Sequence, residues 1–117
     1  MSSADDDGDD ADKKTREEFG EAVNMTANQL REWLDTDESK AVGQKPSGGG
    51  ESTGHESGRH IVRILEKKQA DYTADDYAHM RKVVGYVARH SAQRPQSDVE
   101  DSAWRHSLMN WGNDPLK

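Results

Sequence analysis

The chain contains no cysteine. It therefore has no disulfide bond, no thiolate nucleophile and no zinc site of the cysteine type, and we expect a cytoplasmic location. The longest uncharged, mostly apolar run, residues 83–88, is far too short to span a bilayer, so we predict no membrane insertion. The N-terminal segment also lacks the basic and apolar regions of a signal peptide.

Apolar residues are scarce. Hydrophobic residues make up 31% of the chain and charged residues 33%, which indicates that part of the chain lies outside any core. Residues 1–12 contain six aspartates and no basic residue, and we predict that they form a disordered acidic tail. Because the whole chain has a net charge of −7, residues 13–117 are close to neutral, and net charge alone predicts no partner.

The chain also lacks any stretch with the period-two alternation of a β-strand. Its 117 residues are enough for one domain with a modest core, which we assign to residues 13–117. Apolar residues at helical spacing recur throughout this range. The predicted fold is therefore all-α, a compact bundle of four to five helices.

Helix start signals mark where these helices begin. A capping box pairs a Ser or Thr at the N-cap with an acid or amide three residues later, and four such pairs occur: Thr26 with Gln29, Thr53 with Glu56, Thr73 with Asp76, and Ser97 with Glu100. We predict helices from these positions, the third ending near Gln69 and the fourth near Ser91. A further helix is predicted at about residues 13–23. The last helix should end at Gly112, which suits a left-handed cap.

A long segment of turn-forming residues separates the second and third predicted helices. Residues 36–54 include Pro46 and three consecutive glycines, and we predict a loop without regular structure, with a flexible Gly-rich part at residues 43–54. This part lacks the residue order of a nucleotide-binding P-loop, and no strand precedes it. A flexible connection is the favoured interpretation.

Histidine and serine provide no convincing catalytic pattern. His55 and His60 are five residues apart, about 140° around a helix, whereas a zinc-protease helix needs a spacing of four. His79 and His90 share a helix face but lie three turns apart, too far to bind one ion. No nucleophile elbow is present, although Ser, His and Asp all occur. We predict no metal, no cofactor and no enzymatic activity.

Basic residues form rows on two predicted helices. On the third helix Arg59, Arg63 and Lys67 follow one another at a spacing of four, and like charges at this spacing are mildly unfavourable unless they are neutralised. On what we take to be the outer face of the fourth helix lie His79, Lys82, Tyr86 and Arg89. Cations interleaved with an aromatic residue are typical of nucleic-acid contacts. Glu56 and Glu66 offer the plainer alternative of ion pairs on a solvated face.

Tryptophans are predicted to belong to the core. Trp33, Trp104 and Trp111 each fall on the apolar stripe of their helix. They are therefore not assigned to a binding site.

Several sequence blocks resemble a family of short microbial proteins. They are residues 30–34, 38–45, 54–59, 64–68, 76–86 and 107–112, with Asp114 and Pro115. The family is known as domain of unknown function 3140, and the resemblance covers about residue 19 to the C-terminus. Its members are often loosely labelled DNA-binding. The resemblance therefore implies DNA binding, but it implies no mechanism and no catalytic residues.

The residues and the resemblance together predict a small helical protein that binds DNA through phosphate contacts. The candidate contact residues are Arg59, Arg63, Lys67, Lys82, Tyr86, Arg89 and Arg94. The alternative is a protein-interaction or stress-associated structural module that binds a protein partner and no nucleic acid.

Overall fold

The computed structural model describes residues 3–42 and 53–117, with side chains described from residue 10 onward. In these ranges the protein is all-α, as predicted, and contains no strand. The described residues form six α-helices and one short 3-10 helix, Gln69–Asp71. The α-helices are α1 (Ser3–Ala22), α2 (Ala27–Leu34), α3 (Asp37–Ala41), α4 (Thr53–Glu66), α5 (Ala74–Ser91) and α6 (Ala103–Asn110).

Helix α1 packs along α5. Its buried side chains include Thr15 and Phe19, and Val23 just beyond its end is buried as well. The Arg16 guanidinium donates a hydrogen bond of 2.8 Å to the Tyr77 hydroxyl on α5. The helix begins at Ser3, about ten residues earlier than predicted. The start of a helix favours negative charge, which is compatible with an aspartate-rich first segment. The disordered state predicted for residues 1–12 stays a prediction.

Helices α2 and α4 pack against each other, and both meet α6. The capping box predicted at Thr26 and Gln29 is confirmed. Leu30 and Leu34 of α2 are buried, as are Ile61 and Ile64 of α4. Helix α4 already includes Thr53 and Gly54, which we assigned to the flexible loop, and ends at Glu66, before the position predicted. The rest of the predicted loop, residues 43–52, lies outside the described residues.

Helix α3 corrects the prediction that no regular structure follows residue 36. The Thr36 side chain caps it by accepting a hydrogen bond from the Ser39 amide, and Asp37 and Glu38 occupy its first turn. Both features stabilise a helix start. Ser39 is fully buried against the rest of the fold. This short helix therefore depends on a local cap and on tertiary packing.

Helix α5 matches its prediction. Thr73 and Asp76 form the predicted capping box, and the helix ends at Ser91. The rings of Tyr72 and Tyr77 contact each other edge to face, with centroids 5.8 Å apart, as expected for a hydrophobic staple. The buried residues of its stripe are Met80, Val83 and Val87.

Helix α6 begins later than predicted. Its N-cap is Ser102, whose hydroxyl accepts from the Arg105 amide, so the start predicted at Ser97 is wrong. Asp98 adopts a left-handed backbone conformation with φ of 55°. A right-handed helix that starts at Ser97 cannot contain such a residue. The end is as predicted, because Gly112 has φ of 81° and its amide bonds to the Met109 carbonyl.

The last helix occupies the middle of the fold and contacts α2, α3, α4 and α5. Its fully buried Asn110 accepts hydrogen bonds from the Trp33 indole (2.7 Å) and the Ser39 hydroxyl (2.5 Å). The Asn110 amide donates to the Ser39 carbonyl at 3.0 Å. The tryptophan prediction is confirmed, since Trp111 is buried and Trp33 and Trp104 are partly buried against the core.

Candidate anion-binding groove

The basic side chains singled out in the sequence are mostly exposed. Arg59, Arg63, Lys82, Arg89 and Arg94 all lie at the surface. Lys67 and Tyr86 are partly buried.

Three adjoining depressions bring most of these cations to one part of the surface. The first, of about 320 Å³, lies between α2 and α4 and is lined by Arg31, Arg59 and Arg63 among others. The second, of about 230 Å³, lies between α4 and α5 and includes Arg63 and Lys82. The third, of about 500 Å³, is lined by Lys82 and Arg89 from α5 together with residues of α4 and α6. We call the three together the cationic groove.

Neighbouring depressions share lining residues. Arg63 lines both the first and the second, while Thr53 and Lys82 line both the second and the third. The charged groups therefore follow one another along a continuous surface, although they come from different helices. In the part of the chain that the structure describes, the acids that line the groove are Asp35 in the first depression and Glu56 in the second.

Three cations of the groove have no acidic partner among the described residues. Arg63, Lys82 and Arg89 form no ion pair there, whereas Arg31 is paired with Glu66. Unpaired cations in a concave surface create a positive potential that favours an anion. For Arg63, this arrangement goes against the plainer interpretation, in which an intrahelical acid would neutralise it.

Lys67 lines none of the three depressions and instead forms an ion pair. Its ammonium donates a hydrogen bond of 2.6 Å to Asp76, which is almost fully buried. Burial alone would raise the pKa of Asp76, but hydrogen bonds from Lys67, the Thr73 amide and His60 together hold that pKa well below its usual range. Lys67 thus stabilises the start of α5, and we do not include it among the phosphate contacts.

Arg94 lies away from the groove as well. Its guanidinium stands over the Trp104 ring, 5.7 Å from the centroid, in a cation–π contact. It lines none of the three depressions.

Aromatic rings from α4 and α5, together with Trp111 at the end of α6, form a stack beneath the groove. Tyr86 lies between Trp111 and His90, with centroid distances of 4.2 Å and 5.1 Å. The stack continues from Trp111 to His79 at 6.2 Å, and from His79 to His60 at 4.3 Å. Both faces of the Tyr86 ring are therefore covered. The stacking of Tyr86 on a nucleic acid, which its place in the cationic row indicated, is not available in this arrangement.

The hydroxyl of Tyr86 retains a polar role. Burial raises its pKa, while a hydrogen bond with Ser107 acts in the opposite direction. Tyr86 and Ser107 both line the third depression. The protonated hydroxyl can therefore serve as a hydrogen-bond donor there.

The stack was not evident from the sequence. His79, Tyr86 and His90 share a face of α5 because they are separated by seven and four residues. That spacing gave a signal for a common face, but His60 and Trp111 come from other helices. Only the packing of α4 and α6 against α5 shows that the face is covered.

Three of the histidines have separate hydrogen-bond partners. His55 bonds to the Leu34 carbonyl (2.6 Å) and His60 to Asp76 (3.0 Å). His79 bonds to the Ser57 hydroxyl at 2.8 Å, and Ser57 is buried. Asp76 thus contacts His60 and not His79, so these residues do not form a Ser-His-Asp triad. In the described part of the chain no group of three potential ligands could hold a metal ion.

A family model described as a protein of unknown function, DUF3140, matches residues 18–109. The chain belongs to this family. The resemblance seen in the sequence is thereby confirmed. None of the curated proteins and none of the solved structures compared with the chain matches it.

The part matched by the DUF3140 model contains every cation of the groove, from Arg31 to Arg89. The acidic first segment lies outside the match, as does Trp111 in the floor of the third depression. Of the described helices, none is both long and apolar enough to cross a membrane.

Proposed function

We propose that this DUF3140 protein binds DNA through phosphate contacts along the cationic groove. The proposed contact residues are Arg59, Arg63, Lys82 and Arg89. The observation that supports the proposal is the continuous row of exposed cations, three of which have no acidic partner in the described residues.

The geometry favours contacts to the backbone over reading of bases. Arginine and lysine attract phosphates regardless of sequence, and specificity requires side chains that reach base edges. We assign no polar side chain of the described fold to a contact with a base edge. The covered faces of Tyr86 also remove the nearest candidate for base stacking. Binding should therefore depend little on DNA sequence.

Salt dependence of binding tests the proposal. Fluorescence anisotropy of a labelled DNA duplex, titrated with the protein at several salt concentrations, should show affinity that falls steeply as salt increases. Because each phosphate contact contributes about 0.9 to the slope of log affinity against log salt, the double variant Arg63→Ala with Lys82→Ala should reduce the slope by about 1.5 to 2.

The matched control removes the same charge elsewhere. Lys14 and Lys68 are exposed and line none of the three depressions, so Lys14→Ala with Lys68→Ala should leave the slope within about 0.5 of wild type. Absence of binding at low salt would contradict the proposal. So would equal losses in the two double variants, because they would show a dependence on net charge alone.

A further inference from the structure

The third depression of the groove differs from the other two. It is the largest, at about 500 Å³, a volume suited to a small molecule rather than to a single phosphate. No acid lines it. Its lining residues include Thr53, Lys82, Tyr86, Arg89, Ser107 and Trp111.

A glycine on α5 positions one of the two cations. A Cβ atom at Gly85 would lie 2.9 Å from an Nη atom of Arg89, so the guanidinium occupies the space that a side chain at residue 85 would fill. Arg89 is therefore folded back along the helix toward Lys82. Residues 82, 85 and 89 lie on one face of α5, and the two charges converge on the same depression.

Convergence of two like charges is unfavourable unless an anion offsets it. A phosphodiester carries one negative charge, and the strand continues on both sides of it. A phosphate monoester carries between one and a half and two charges near neutral pH, with a second pKa of about 6, and it ends the strand. The monoester therefore fits two cations that line one depression better than the diester does.

We propose that the third depression binds a terminal nucleotide through its phosphate monoester. Lys82 and Arg89 hold the phosphate, and the hydroxyls of Ser107 and Thr53 lie in the same depression as further hydrogen-bonding groups. The nucleoside part lies against the edges of Tyr86 and Trp111, because the faces of Tyr86 are covered. This inference rests on the proposed function and makes it more specific: strand ends that carry a phosphate monoester are preferred over internal positions.

Two sources could supply this chemistry, a 5′-phosphorylated strand end and a free nucleoside monophosphate. Isothermal titration of the full-length protein with adenosine 5′-monophosphate, with adenosine and with inorganic phosphate tests the pocket alone. We expect binding of the monophosphate to be at least about tenfold tighter than binding of either fragment, because only the intact nucleotide uses both the charged and the apolar walls.

Competition with oligonucleotides tests the strand end. A single strand with a 5′-phosphate should displace labelled DNA at a concentration at least about fivefold lower than the same strand with a 5′-hydroxyl. This advantage should disappear in Lys82→Ala and in Gly85→Ala.

Gly85→Ala is the sharper of these variants, since it displaces Arg89 without removing a charge. Alanine in a helix interior is favoured over glycine, so thermal unfolding should show no loss of stability. Gly20→Ala is the matched control, because a Cβ at Gly20 meets nothing within 4 Å. We expect it to leave nucleotide binding unchanged.

The outcomes separate this inference from the proposed function. One outcome is steep salt dependence of duplex binding, equal affinities for phosphorylated and hydroxyl ends, and no binding of the monophosphate. It would overturn the proposal that the third depression binds a terminal nucleotide, and would leave the groove as a DNA-binding surface. Binding of the monophosphate with no binding of DNA would support the pocket and overturn DNA binding. Unchanged nucleotide affinity in a folded Gly85→Ala protein would overturn the assigned role of Arg89.

Discussion

His79 shows how one partly buried side chain shapes the electrostatics of the groove. Burial lowers its pKa from 6.5 to about 4, and the nearby charges of His60, Lys82 and Arg63 act in the same direction. His79 is therefore neutral at physiological pH although it lines the second depression. The positive potential there comes from Arg63 and Lys82.

The lowered pKa of His79 predicts a loss of stability in mild acid. The unfolded chain binds a proton at His79 below about pH 6.5, whereas the folded protein does so only near pH 4, so the free energy of unfolding should fall as pH decreases through this window. Allowing for partial exposure, we expect a loss of about 1 to 2 kcal/mol. Urea unfolding at about pH 7 and about pH 4.5 measures it.

The variant His79→Gln should unfold with a shallower pH dependence over the same window. Asp76 does not obscure the comparison, since its lowered pKa stabilises the fold above the usual value of 3.8 and this contribution is lost only at lower pH. Identical pH profiles for the variant and the wild type would contradict the assigned role of His79.

At the same scale, sequence reasoning identified the exposed cations but not their partners. The spacing of Arg59 and Arg63 on α4 was enough to place them on the outside of a helix. Lys67 continues that row, yet it pairs with Asp76 from the following helix. Contacts of this kind depend on how two helices pack, which helical periodicity does not encode.

Among the elements, prediction succeeded where a cap and an apolar stripe agreed. Both were present for α2 and α5, whose capping boxes are confirmed. It misplaced the start of α6, because Ser97 with Glu100 satisfies the same pattern as a cap without being one. It also failed for α3, a five-residue helix whose Ser39 is buried by contacts with α6. Short helices rely on such tertiary contacts, since isolated ones are unstable.

Close packing of three helices makes Gly58 sensitive to substitution. A Cβ at this position would lie 2.6 Å from the Asn110 carbonyl oxygen and 2.7 Å from a methyl carbon of Leu34. The first of these is backbone and has little room to move, so Gly58→Ala should lower the free energy of unfolding by roughly 1 to 3 kcal/mol. Urea or thermal unfolding provides the measurement.

The control for this prediction is a helical glycine in open surroundings. Gly20 in α1 has no neighbour that a Cβ would meet, and Gly20→Ala should raise the free energy of unfolding by about 0.5 to 1 kcal/mol through helix propensity alone. Equal effects at the two positions would show that α2, α4 and α6 are not as closely packed as described.

Over the whole molecule, charge is distributed unevenly. The net charge of −7 arises almost entirely from the six aspartates of residues 1–12, while most of the described charged residues that line the groove are cations. The acidic segment also lies outside the DUF3140 match. A polyanion that approaches the groove therefore meets a local attraction and a longer-range repulsion, and the balance depends on ionic strength.

Neutralising the acidic segment should strengthen DNA binding at low salt. The full-length variant in which the six aspartates are changed to asparagine keeps the length of the chain while removing the repulsion, and we expect an affinity roughly three- to tenfold higher at about 0.01 M salt. At about 0.15 M salt the Debye length falls to about 8 Å, so the difference should be much smaller. Anisotropy titrations at both concentrations measure the effect. An unchanged or weaker affinity at the lower concentration would show that the segment does not oppose the approach of DNA.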